Sequence, residues 1–131
     1  MELLQVIKAL GDENRLRILN ILRYGKLCVC EIEHILDITQ SNASRHLTKL
    51  KESGIIENEK NAKWVYYKIN EDTMEKFKFL KSLLLVELCT LKAFKNDLDN
   101  LNKYQDSGLN CEDLKIGNFS SVNLKECEED G

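Results

Sequence analysis

Residues 28–54 read Cys28-Val29-Cys30-Glu31-Ile32-Glu33-His34-Ile35-Leu36, Asp37-Ile38-Thr39, then Gln40-Ser41-Asn42-Ala43-Ser44-Arg45-His46-Leu47-Thr48-Lys49-Leu50-Lys51-Glu52-Ser53-Gly54. Two short helical patterns meet across a polar break. In the first, Ile32, Ile35 and Leu36 recur at i, i+3, i+4; in the second, Ala43, Leu47 and Leu50 form one stripe and leave Asn42, Arg45, His46 and Lys49 outside. Thr39 or Ser41 is suited to cap the second helix, and Gly54 to close it in a left-handed turn. The pattern predicts a helix-turn-helix whose second helix presents its outer face to a major groove.

Upstream, Leu3, Val6, Ile7 and Leu10 predict a short amphipathic helix ended by Gly11. Asp12 then caps a second helix with Leu16, Leu19, Ile21 and Leu22 on its apolar face and Gly25 as its stop. Downstream, Ile55-Ile56 opens a strand, Glu59-Lys60-Asn61-Ala62 makes a turn, and Lys63-Trp64-Val65-Tyr66-Tyr67-Lys68-Ile69 returns. A hairpin directly after a reading helix is a wing. The expected fold is therefore mainly α with a small β-hairpin, a winged helix-turn-helix. Ser41, Asn42, Ser44, Arg45, His46 and Lys49 are the candidate contacts to bases and phosphates of double-stranded DNA, and Lys60 and Lys63 the wing contacts to its backbone. The tip has Asn61-Ala62 in place of glycine, and Asn tolerates the left-handed conformation.

From Glu71 to Asn102 one long helix is expected. Phe77, Leu84, Leu91 and Leu98 repeat every seven residues, with Leu80, Phe94 and Leu101 in companion positions and Glu87 interrupting. This seam, with the N-terminal helix, predicts a homodimer. After residue 102 the pattern dissolves, so residues 1–102 are expected to form one DNA-binding and dimerisation domain and residues 103–131 an acidic, disordered tail. The charge supports that division. The chain carries −3 overall, but residues 1–103 hold 17 Lys/Arg against 15 Asp/Glu, while residues 104–131 hold 2 against 7. The stretch 41–68 has six basic and three acidic groups, net +3. Five cysteines, an odd number, in a chain with no secretory or membrane-spanning pattern point to reduced thiols in a cytoplasmic protein.

Cys28 and Cys30 stand at the start of the first motif helix. On a regular helix, side chains at i and i+2 lie about 200° apart, so joint chelation of one soft atom requires the helix start to deform. Ligand binding and the DNA-ready geometry then compete for the same residues.

Four ordered blocks, Ala9-Leu10-Gly11-Asp12-Glu13-Asn14-Arg15-Leu16, Leu27-Cys28-Val29-Cys30-Glu31, Ser41-Asn42-Ala43-Ser44-Arg45-His46-Leu47 and Lys63-Trp64-Val65-Tyr66-Tyr67, resemble the ArsR/SmtB family over about residues 3–95. The resemblance implies a small dimeric winged-helix repressor of a metalloid-resistance operon. It further implies that trivalent arsenic or antimony, As(III) or Sb(III), binds Cys28 and Cys30 and releases the protein from DNA. The fullest arsenite pattern has a third thiol where this chain has Glu33, which leaves Cys89, Cys111 and Cys127 as candidates for a third sulfur. The cadmium/lead branch adds thiols from an N-terminal extension, and no Cys precedes residue 28. The zinc and nickel branch uses His on the last long helix, and residues 71–103 hold none. His34, beside the thiols, reads as a surface or capping residue.

A thiol-redox-responsive or cadmium/lead-responsive repressor of the same fold stays open as an alternative. An enzyme is not expected: there is no Cys-x-x-Cys beside a βαβ pattern, no Gly-rich phosphate loop and no base paired to a nucleophile.

Overall fold

The computed structural model describes residues 2–115, except for the side chains of Cys89 and Lys115. Its first helix, α1 (Leu3–Ala9), turns Val6 and Ala9 into the core and leaves Leu3, Leu4 and Ile7 exposed. Helix α2 (Glu13–Leu22) starts where Asp12 Oδ1 accepts a 3.2 Å hydrogen bond from Arg15 N. Helix α3 (Val29–Leu36) ends on Asp37 in the left-handed region, φ 55°. Helix α4 (Gln40–Glu52) is capped by Thr39, whose Oγ1 accepts from Asn42 N at 3.2 Å, and Gly54 follows at φ 84°. Caps and breaks thus fall where the sequence places them, because each depends on local chain geometry alone.

Ile18, Leu19, Ile21, Ile32, Ile35, Leu47, Leu50, Ile55 and Ile56 are all below 2% exposed and join these helices into one core. Full burial of each such side chain contributes roughly 1.5–3 kcal/mol before entropy is charged against it. Behind α4, β2 (Ile56–Asn61) and β3 (Trp64–Ile69) form the wing as an antiparallel pair. A two-residue strand, β1 (Leu27–Cys28), adds to the other side of β3, giving the order β1-β3-β2 with Leu27 opposite Tyr67 and Cys28 opposite Tyr66. Two residues carry no readable periodicity, so β1 is invisible in the sequence.

The wing tip differs from expectation. The strand runs on through Asn61, and the left-handed conformation falls on Ala62, φ 58°. A Cβ there is crowded by the neighbouring carbonyl at a cost of roughly 1–2 kcal/mol, which glycine avoids. Ala62→Gly is expected to raise stability by about 0.5–1 kcal/mol after the entropy that glycine adds to the unfolded chain. An unchanged or lowered urea midpoint would contradict this.

The single long helix over 71–102 is not formed. The chain instead makes α5 (Glu71–Lys76), α6 (Lys78–Ser82), a π-helical turn over Leu83–Glu87, a 3₁₀ turn over Leu88–Thr90, and α7 (Lys92–Ser107). The breaks fall at Phe77 (φ −116°, ψ 87°) and Leu91 (φ −86°, ψ 129°). The physical reason is that four of the seam and companion residues serve this chain's own core: Leu80, Leu84, Phe94 and Leu101 are each 2% exposed or less, while Leu91 at the break is 46% exposed. Bending at Leu91 lets α7 fold back onto α2 and α3. One stripe of α2 fixes that return. Arg17 pairs with Asp97, Asn20 Nδ2 donates to Phe94 O at 3.1 Å, and Arg23 Nη1 donates to Leu84 O at 2.7 Å.

Order also continues past residue 102. Helix α7 runs to Ser107, Gly108 ends it at φ 77°, and α8 (Cys111–Lys115) packs against α3. The remainder of the expected tail, Cys127 included, lies outside the described residues.

Candidate functional site: a thiol pair beside the helix-turn-helix

Two sites are built on the same scaffold. The first is the outer face of α4 with the wing. Ser41, Ser44, Arg45 and Lys49 are exposed and Asn42 is half-buried, with Arg45 Nη2 donating to Asn42 Oδ1 at 3.0 Å. Lys60 and Lys63 are exposed at the wing tip. The expected contact residues on this face are thus accessible from one side of the molecule, Asn42 in part.

His46 does not. It is 2% exposed and turned inward, with Nδ1 3.3 Å from Arg15 Nη1 and 3.8 Å from Asp12 Oδ1. Burial, reinforced by Arg45 and Arg15 and opposed by Asp12, pushes its imidazole below the ordinary value. His46 follows Arg45 in the sequence, but the 100° step of a helix carries it onto the flank where α4 meets α2. Its place is in the support of the reading helix.

The second site lies at the start of α3. Cys28 is the last residue of β1 and the N-cap of α3, in extended conformation (φ −86°, ψ 169°). It therefore stands outside the helix, and the i, i+2 geometry expected for Cys28 and Cys30 does not apply. Its Sγ is joined in a disulfide to Cys111, 83 residues later, where reduced thiols are expected from composition. Among the described residues, Cys28, Glu31 and Cys111 place one sulfur or carboxylate oxygen each within 4.8 Å of one another. Cys30, the second residue of α3, is half-buried and lies outside that group. Cys89 falls in the Leu88–Thr90 turn, and its side chain lies outside the described residues.

Glu31 and Tyr104 complete the site and escaped the sequence reading. Glu31 Oε1 accepts from Cys28 N at 2.9 Å, and its other oxygen accepts a short hydrogen bond from Tyr104 Oη on α7. Burial first, then this bond to Glu31, drives the Tyr104 phenol far above its ordinary value, so it remains a donor. The spacing Cys28-x-x-Glu31 is that of a capping box with sulfur in place of a hydroxyl, a signal available in the sequence. Nothing local marks Tyr104. The Tyr66 hydroxyl lies 3.9 Å from Cys111 Sγ, and the His34 ring meets that of Tyr104 at a tilt of 59°, centroids 5.6 Å apart.

Chemically, Cys28 and Cys111 when reduced, with the Cys30 thiol two residues from Cys28, are soft donors, matched to thiophilic ions more than to hard ones. Once the disulfide is reduced, the Cys28 and Cys111 sulfurs, with Glu31 beside them, are the described residues that could hold a metalloid or soft metal.

Residues 12–58, from the α2 cap into β2, match the family model for bacterial regulatory proteins of the arsR family. Over 96 residues, 72% of this chain, the sequence is 35% identical to the arsenical resistance operon repressor of Bacillus subtilis (strain 168) and covers 86% of it. The chain belongs to the ArsR family. It is also 44% identical over 68 residues to the arsenic resistance transcriptional regulator ArsR1 of Pseudomonas putida, but spans only about half of that relative, 53%, and 51% of itself. Among solved structures it is similar to the homodimeric winged helix-turn-helix DNA-binding domain Mb0332 of Mycobacterium bovis. The TM-score there is 0.54 at 31% identity, covering 61% of this chain and 75% of that one. The ArsR family consists of DNA-binding transcriptional regulators and not enzymes, in keeping with the sequence. Among the described residues no helix is long and apolar enough to cross a membrane.

Proposed function

We propose that this ArsR-family protein is a homodimeric, cytoplasmic repressor of a metalloid-resistance operon. It holds operator DNA with α4 and the wing, and leaves it when As(III) or Sb(III) is bound by Cys28 and Cys30 together with Cys111. The observation that carries the reading is the meeting of Cys28 and Cys111 sulfurs at the cap of α3, the helix on which α4 rests. Cys28 belongs to β1, to the α3 cap and to the thiol site at once, so drawing sulfurs around an ion reshapes the start of α3. Moving a repressor from 99:1 bound to 1:99 needs about 5.5 kcal/mol of differential affinity. Thiolate coordination, roughly 10 kcal/mol or more for structural zinc, exceeds that.

The test is a titration of operator-bound protein, under reducing conditions, with arsenite, antimonite, cadmium and lead. Release at the lowest concentrations by arsenite and antimonite is the expected result; no release by either rejects the inducer. A second reading rests on the Cys28–Cys111 disulfide itself, a repressor released by oxidation. Release by peroxide with no response to arsenite would select it.

DNA recognition divides between two kinds of contact. Arg45→Ala is expected to cost about 1–3 kcal/mol on operator DNA and much less on random DNA, the signature of a base contact. Lys60→Ala should weaken both alike and lower the salt slope by about one unit. Competition binding at several salt concentrations separates the two, and equal losses for Arg45→Ala would reduce it to a phosphate contact.

The surface available for a second copy differs from the heptad seam. Leu84 is 1% exposed in the monomer core, whereas Leu85 and Val86 are 56% and 57% exposed, and Leu3, Leu4 and Ile7 of α1 are open as well. Leu85→Glu with Val86→Glu is expected to give folded monomers, while Leu84→Glu should unfold the chain. A double variant that still sediments as a dimer would move the interface elsewhere.

A further inference from the structure

Helix α8 makes two contacts through adjacent residues. Cys111, 3% exposed, is bonded to Cys28, and Glu112 sets a carboxylate oxygen 3.5 Å from Nζ of Lys63. Lys63 belongs to the two-residue wing tip, with its ammonium 5.3 Å from the Trp64 ring. Glu112 therefore puts an oxyanion where a DNA phosphate oxygen would sit.

We propose that α8 is an acidic clamp on the wing, a segment of this chain that competes with DNA for Lys63 and is held closed by the link between Cys111 and Cys28. The proposal rests on the DNA-binding reading above and adds to it a partner for the wing inside the protein.

Magnitudes decide why the link is needed. Lys63 and Glu112 are 67% and 66% exposed, and an isolated ion pair so open to water contributes little. A phosphate backbone seated beside the wing would displace it. Fastened one residue from a sulfur bridge, Glu112 cannot diffuse away and meets Lys63 at an effective concentration in the millimolar range or above. The clamp is also built to hold one register. Asn110 and Asp113 cap α8 reciprocally, Asp113 N to Asn110 Oδ1 at 3.1 Å and Asn110 N to Asp113 Oδ2 at 3.0 Å. Leu114 is 8% exposed in the core, and Cys111 Sγ lies 3.9 Å from the hydroxyl of Tyr66 on β3, the strand that leaves the wing tip. With Cys111 released, α8 is held only by the packing of Leu114 and the Tyr66 contact, and the exposed pair yields to DNA more readily.

The link is made in the test with hydrogen peroxide. The two thiols give up two protons and two electrons, the S–S bond forms, and peroxide leaves as two waters. Full-length protein, reduced or linked (the Cys28–Cys111 bond verified by peptide mass), is titrated with a short labelled duplex of mixed sequence at several salt concentrations, with neither operator nor arsenite present.

Linked wild type is expected to bind roughly 5–10-fold more weakly than reduced near 0.1 M salt, with a salt slope smaller by about one unit. Glu112→Gln should restore both in the linked form. Glu71→Gln, the same charge change on exposed α5, should restore neither. Lys63→Ala should weaken the reduced protein by the same factor and leave the linked protein unchanged.

Identical affinity and slope for linked wild type and linked Glu112→Gln would overturn the clamp, as would equal recovery by Glu71→Gln. If reduced wild type failed to bind duplex at all, the DNA-binding reading would fall and the clamp with it.

Discussion

Operator-bound Cys28→Ser protein is expected to stay on DNA at arsenite concentrations that strip the wild type. Serine is close to cysteine in size and is a better N-cap, so β1 and the start of α3 should form as before, with Glu31 still accepting from the residue 28 amide. A hydroxyl, however, is a poor partner for a soft metalloid, and the loss falls on the sulfur that stands nearest Cys111. Cys111→Ser should raise the arsenite needed for release, and Cys30→Ser should do likewise if the start of α3 yields to bring that thiol in. All three should bind operator with near-normal affinity under reducing conditions, since no sulfur lies on the exposed face of α4. The measurement is fluorescence anisotropy of labelled operator during arsenite titration. A Cys28→Ser, Cys30→Ser double variant that leaves DNA at the wild-type concentration would show that these thiols are packing groups, and the sensing site would have to be sought elsewhere.

Among the polar anchors of α7, the largest expected loss of stability is at Arg17. Its guanidinium meets Asp97 in two parallel bonds, Nε to Oδ2 at 2.8 Å and Nη2 to Oδ1 at 2.9 Å, and also donates to Leu36 O at 2.9 Å. The Asp97 side chain is 4% exposed and that of Arg17 21%. The bond to Asp97, ahead of the opposing effect of burial, raises the Arg17 pKa above its ordinary value. Arg17→Ala strands a buried carboxylate and should cost about 3 kcal/mol, at the low end for a broken buried pair because Arg17 is partly solvated. For a domain of this size that is a fall in Tm of roughly 10–15 °C. Arg17→Met with Asp97→Leu should recover most of it, because no uncompensated charge remains. Calorimetry decides, and a loss below about 1 kcal/mol for Arg17→Ala would mean that this pair does not hold α7 to α2.

The helix-turn-helix and the wing were legible because every signal that defines them is short in range. Asp12 and Thr39 cap the next turn of chain, Gly54 supplies one left-handed residue, and the periods of α3, α4 and β3 are set by neighbours a few positions apart. The exposed face of α4 followed from the same periodicity, except at His46, whose fate depends on Arg15 and Asp12 in another helix.

What residues 71–107 do was undetermined at that level. Leu80, Leu84, Phe94 and Leu101 satisfy a seam between two copies and the core of one copy equally well. The choice is made by polar anchors on α2, Arg17, Asn20 and Arg23, whose partners lie 61 to 80 residues away. Cys111 was one of several thiols open to Cys28, with nothing local to select it. Selection came from the bend at Leu91 and from α7, whose 16 residues carry the chain roughly 24 Å back across the domain. Sequence alone determined which residues cap, turn and alternate, since those depend on local backbone energetics. Only the tertiary structure decided which sulfur meets which, because that contact closes a loop of 83 residues and is specified by everything packed between its ends.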